Sequence, residues 1–137
     1  MRDTDVVVEP LKVGGADHEE RRLFGPKGEM AQILNRTGDS FRQLIYWDLD
    51  PSGQERGHHY HERKIDRLYV LKGDLEFVAE DPATRERRLY EAPAGSRITI
   101  APRIAHAFRA RTYAQAIEYS FEPYDPADTR PHKIEKW

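Results

Sequence analysis

Hydrophobic positions in this chain come in short runs, many of them alternating with polar ones, and turn residues close each run. Phe41 to Leu49 carries Phe41, Leu44, Ile45, Tyr46, Trp47 and Leu49, and Asp50-Pro51-Ser52-Gly53 ends it. Arg67 to Leu71 is apolar and runs into Lys72-Gly73-Asp74, a tight hairpin signal. Leu75, Phe77 and Ala79 then alternate with Glu76, Val78 and Glu80, a period of two that places the two sets on opposite faces of a strand. Ile98 and Ile100 alternate with Arg97 and Thr99, and Ala105 to Thr112 and Ala116 to Phe121 read as the last two strands. Before these, Val6-Val7-Val8 is β-branched and bounded by Pro10, Asp17 to Arg22 reads as a solvated loop, and Met30 to Leu34 is apolar around Gln32. Turns are expected at Gly25-Pro26-Lys27-Gly28 and at Thr37 to Ser40. No segment forms a long amphipathic helix. Many short strands at even spacing predict an all-β sandwich or barrel, which also disposes of exposed strand edges. After Glu122 the chain is rich in Pro and charge, with Ile134 and Trp137 as late apolar anchors.

Composition narrows the chemistry. At 137 residues the size predicts a single domain over 1–137. A net charge of −2 without a basic stripe gives no reason to expect a nucleic-acid partner. The chain has no cysteine, so any metal must use His and carboxylate donors. No run approaches a membrane helix and the N-terminus lacks an apolar signal run, so the expectation is a cytoplasmic protein without a membrane partner.

Three of the six histidines crowd one stretch, Gly57-His58-His59-Tyr60-His61. On a strand, His59 and His61 share a face and His58 and Tyr60 point away. Asp66 follows across a short gap, and His106, after its own turn, can reach the same point from a neighbouring strand. Two imidazoles, a carboxylate and a third imidazole form a donor set for a divalent cation such as Zn, Mn, Ni or Fe. The plain alternative is a group of surface histidines, and for His18, His58 and His132 the solvated state is expected.

The stretch resembles the cupin family. Its first motif is met by Gly53, His59, His61 and Gly73, with Asp66 where the family has Glu. Its second motif is met by Gly95 and His106, whereas Ala101, Arg103 and Ala110 stand where the family has Pro, Gly and Asn. The resemblance implies a double-stranded β-helix, the cupin jelly-roll barrel, over about 41–122, with a metal held by His59, His61, Asp66 and His106. More narrowly, Arg56-Gly57-His58-His59-Tyr60-His61, Leu68 to Gly73 and Glu118 to Pro126 are similar to cupins of sugar-nucleotide and capsular-polysaccharide biosynthesis. Metal-free ketosugar 3,5-epimerases share a shorter form of the first segment. Their likeness implies His59 as catalytic base and a late tyrosine, near Tyr119, as acid.

From this follow an epimerase or isomerase acting on a keto-sugar nucleotide, with Tyr60 and Tyr119 as candidate acids, and Arg56, Arg67 and Tyr69 as candidate substrate contacts. An iron or manganese dioxygenase and a non-enzymatic sugar-binding or sensor barrel are the alternatives. Small cupins pair through the N-terminal strand, so a homodimer is expected, with Val6-Val7-Val8 either shared with a partner or serving as an edge strand of its own barrel.

Overall fold

Alternation along the chain is realised as two sheets that press their apolar faces together. The computed structural model describes residues 1–38 and 40–137; Asp39, in the turn expected at Thr37 to Ser40, lies outside the described residues. The strands are β1 (Val6–Pro10), β2 (Lys12–Val13), β3 (Arg21–Gly25), β4 (Gly28–Gln32), β5 (Gln43–Leu49), β6 (Arg56–His61) and β7 (Asp66–Lys72). They continue as β8 (Asp74–Glu80), β9 (Arg87–Pro93), β10 (Ser96–Ile100), β11 (Ala105–Ala110), β12 (Ala114–Ser120) and β13 (Thr129–Pro131). The first sheet has the order β1-β10-β7-β12-β5 and the second β13-β6-β11-β8-β9, with every pairing antiparallel. A small third sheet, β2-β3-β4, lies outside them. The molecule is the all-β jelly roll expected from the sequence. Strands from outside 41–122 complete both large sheets: β1 pairs with β10 of its own chain, and β13 pairs with β6.

Between the sheets lie Leu68 and Val70 of β7, Leu75 and Phe77 of β8, Ile98 and Ile100 of β10, and Phe108 of β11, all buried. Burial of each such side chain is worth about 1.5–3 kcal/mol. Phe77 is the centre of the aromatic part, with its ring 4.9 Å from both Tyr90 and Phe108. At Gly73, φ is +81° and an added Cβ would overlap the Tyr113 carbonyl, so the β7–β8 hairpin requires glycine there.

The outer face of the second sheet departs from the simple alternation. Val78 and Glu80 are fully buried, because the C-terminal tail lies over them. Ile134 packs on Val78, Ala105 and Ala107, and the Arg109 guanidinium stacks on Trp137 at 4.0 Å. Glu80 accepts from Arg87 Nε at 2.6 Å and pairs with His132. His132 is therefore not the solvated side chain expected of it. His58 is not free either: its Nδ1 accepts from the Ile134 amide at 3.1 Å, and its carbonyl accepts from the His132 amide at 2.8 Å. His18 is exposed, as expected. Near the N-terminus, β3 begins at Arg21, inside the segment expected to be a loop, and the apolar run from Met30 leaves the strand after Gln32.

Replacing Phe77 with alanine should cost about 3–5 kcal/mol of stability through the cavity it leaves, read as a lower urea midpoint at unchanged slope.

Candidate active site

The local backbone around the histidines is set by a bulge in β6. His106 pairs with His59 but Ala107 pairs with Gly57, so His58 is the extra residue. Gly57 has φ +107°, and a Cβ there would come within 2.5 Å of the His106 carbonyl; His58 follows at φ +58°. This close crossing of β6 and β11 brings His59 and His106 together, with ring centroids 5.0 Å apart. His61, one pleat further along β6, is 5.1 Å from His59 and 6.5 Å from His106.

Asp66 enters from the opposite sheet, at the start of β7. It is buried, and its two oxygens face two imidazoles: Oδ1 is 3.3 Å from His61 Nε2 and Oδ2 is 3.2 Å from His106 Nε2. His106 Nδ1 donates to the Ile104 carbonyl at 3.2 Å. Its Nε2 would then be a bare lone pair aimed at a carboxylate unless a proton or a cation lies between them. Burial alone would raise the Asp66 carboxyl, but the His106 and His61 imidazoles and the Lys64 ammonium outweigh it and hold it at about 2. Donor atoms of His59, Asp66 and His106 lie within 4.8 Å of one another.

The C-terminal segment supports this cluster from behind. The Asp128 carboxylate accepts from the amides of Arg63 at 2.9 Å and Lys64 at 3.0 Å, which fixes the turn between His61 and Asp66. Thr129 Oγ1 is 3.3 Å from His61 Nδ1. Arg103, standing where the resemblance has glycine, takes φ +64° and donates its amide to the His61 carbonyl at 2.7 Å. The turn before His106 is thus kept without the glycine that relieves its strain.

A cavity of about 450 Å³ opens beside the cluster. His59 and His106 form its inner wall, Trp47 and Phe108 its floor, and Arg56, Tyr46 and Asp48 its rim. Arg56 donates to the Asp48 carbonyl at 3.0 Å and lies over the Trp47 ring at 5.4 Å. His59 is half-buried; burial and the nearby His106 and His61 lower its imidazole from 6.5 to about 4, so it is neutral at neutral pH.

The other expected site residues lie elsewhere. Tyr119 points to the outer face of the first sheet, edge-on to Phe41 at 5.7 Å. Arg67 is on the same outer face, over Phe121 at 4.6 Å. Tyr69 is buried beneath β3 and β4, near Arg22 and Glu29. Tyr60 packs under the C-terminal tail, 6.2 Å from the His132 ring. Each occupies the phase of its strand opposite to the one that faces the interior, so none of the four reaches the cavity. In place of Tyr119 the cavity receives its neighbour, Glu118, which accepts a hydrogen bond from Trp47 Nε1 at 3.1 Å. Sequence reading missed Glu118, although the small inward residues Ala114 and Ala116 set the phase that carries it inside.

No family model and no curated protein matches the chain. Solved structures do. A sugar 3,4-ketoisomerase from Thermoanaerobacterium thermosaccharolyticum in complex with TDP is 17% identical, with 94% of this chain and 89% of that one covered at a TM-score of 0.74. A 3,4-ketoisomerase from Helicobacter canadensis is 15% identical, covering 92% and 90% at 0.73. The dTDP-4-dehydrorhamnose 3,5-epimerase from Sulfolobus tokodaii is 18% identical, covering 94% and 77% at 0.73. The fold that this chain shares with these sugar-nucleotide enzymes is the cupin double-stranded β-helix.

Proposed function

We propose that this protein isomerises or epimerises a keto-sugar carried on a nucleoside diphosphate, by removing a proton from a carbon next to the carbonyl. The observation that carries the reading is the neutral His59 imidazole at the wall of a cavity whose rim holds an arginine and whose floor holds two aromatic rings. His59 takes the proton, since its lone pair is free at neutral pH. Arg56 pairs with the diphosphate through its planar guanidinium. Trp47 offers a flat face to a ring of the substrate. That structurally similar proteins are sugar-nucleotide ketoisomerases and epimerases supports the same substrate class. The reaction is a redistribution of protons, so it should run at full rate without oxygen, unlike a dioxygenase with the same donor set.

The donors also fit a divalent cation. Among the described residues, His59, Asp66 and His106 form the group whose donor atoms lie within 4.8 Å of one another, a spacing that a Zn, Mn, Ni or Fe ion can use. Such an ion would polarise the substrate carbonyl. His59 cannot give one lone pair to both a cation and a proton. We assign that lone pair to the proton, and leave Asp66 and His106 as the protein's donors to the ion.

Metal analysis of the purified protein should therefore show bound metal that is lost in Asp66→Ala and His106→Ala and kept in His59→Ala. Loss in His59→Ala as well would take away its role as base, and equal metal content in all three would remove the metal site. With a nucleoside-diphosphate 4-keto-6-deoxyhexose in deuterated water, the native protein should place deuterium next to the carbonyl. His59→Ala should slow this by about 10²–10⁴, followed by proton NMR.

The depressed His59 imidazole also has a consequence for stability. Its folded value lies below its unfolded one, so between pH 6.5 and about 4 the unfolded chain binds a proton that the folded protein refuses. Stability falls as pH drops through that window and is recovered as pH rises. In chelator-treated protein, the urea midpoint of the native chain should fall more steeply from pH 7 to 4.5 than that of His59→Ala.

A further inference from the structure

Of the two carboxyl groups among the described residues that line the cavity, Glu118 is the one directed into it. Asp48, on the rim, accepts from Tyr113 at 2.6 Å and points outward, and Asp66 is taken up by two imidazoles. Glu118 sits on β12 in the first sheet, whereas His59 sits on β6 in the second, and both line the same space. A planar enolate held between the sheets would have His59 on one face and Glu118 on the other. One Glu118 oxygen is anchored by the Trp47 indole N–H; the other has no hydrogen-bond partner among the described residues and is not sealed from the cavity.

From this placement we infer that Glu118 is a catalytic acid, delivering a proton to the enolate from the face opposite His59. The inference rests on the isomerase reading above. Burial pushes the Glu118 carboxyl up and the charge of Asp66 adds to it, against the pull of the Trp47 bond, His106 and Lys64, a shift in the direction that suits an acid. The step balances. His59 breaks the C–H bond and becomes imidazolium, the electron pair moves into the enolate, and the Glu118 O–H bond breaks as a new C–H bond forms. Imidazolium and carboxylate remain, and solvent returns the proton from one to the other. No oxidant or reductant is needed. Delivery from the opposite face inverts a carbon; delivery to the neighbouring carbon of an enediolate, with the hydroxyl proton passing from one enediolate oxygen to the other, moves the carbonyl. The acid that sequence likeness assigned to a late tyrosine is thus moved one residue back along the strand and through the sheet.

Glu118→Gln keeps the shape and the acceptor for Trp47 but has no proton to give. It should bind TDP within about threefold of the native protein and unfold at the same temperature. With the keto-sugar nucleotide in deuterated water, it should form product about 10²–10⁴ times more slowly, yet still exchange the hydrogen next to the carbonyl into solvent, because His59 can take and return it. His59→Ala should do neither. Product formation by Glu118→Gln at more than half the native rate would overturn the role, and so would loss of exchange together with product, which would make Glu118 the base. A native protein that neither exchanges nor turns over any nucleotide ketosugar would overturn the isomerase reading itself, and Glu118's role with it.

Discussion

The site depends on a buried carboxylate that two imidazoles hold ionised. Asp66 comes from one sheet, His61 and His106 come from the other, and their contacts of 3.2 and 3.3 Å join the two layers at one end of the barrel. An ionised group in such surroundings costs several kcal/mol unless it is compensated. The compensation here is mutual, and it fixes the rotamers of all three side chains. His59 is placed against this cluster, and burial together with the nearby His106 and His61 keeps its imidazole neutral. The cluster therefore sets the state of the proposed base even before any cation or substrate enters.

Much of the remaining chain maintains that geometry. Gly57 lets β6 cross β11 closely enough for His59 to meet His106. Asp128 and Thr129 brace the turn and the ring on the far side. The tail from His132 to Trp137 covers the back of the same strands, so that Glu80 and His58 are paired instead of wet. Arg103 holds a left-handed conformation that glycine would adopt at lower cost, and its amide still reaches His61. A degraded sequence motif can thus keep its turn when hydrogen bonds around it determine the path.

On the cavity side, the proposed chemistry uses both sheets in the same way. His59 and Arg56 come from β6, and Trp47 and Glu118 from the facing sheet. An enolate between them would be served from two faces by groups that need not move. Acid and base would be kept distinct by environment: burial among imidazoles lowers one, and burial near a carboxylate raises the other.

The all-β architecture, the hairpin glycine Gly73 and the histidine stretch were legible in the sequence, because period-two alternation and a positive-φ turn are local properties of a strand. His59, His61, Asp66 and His106 were legible through their spacing, and the structure brings all four together. What only the tertiary structure decided is which face of each strand looks inward. Tyr60, Arg67, Tyr69 and Tyr119 carry chemistry that suits a sugar site, yet each falls on the phase that faces the tail, the small sheet or the Phe41 and Phe121 rings. Glu118, beside Tyr119, falls on the other phase and enters the cavity. A shift of one residue exchanges the two faces of a strand. That phase is set by packing against partners far along the chain, which no short motif records.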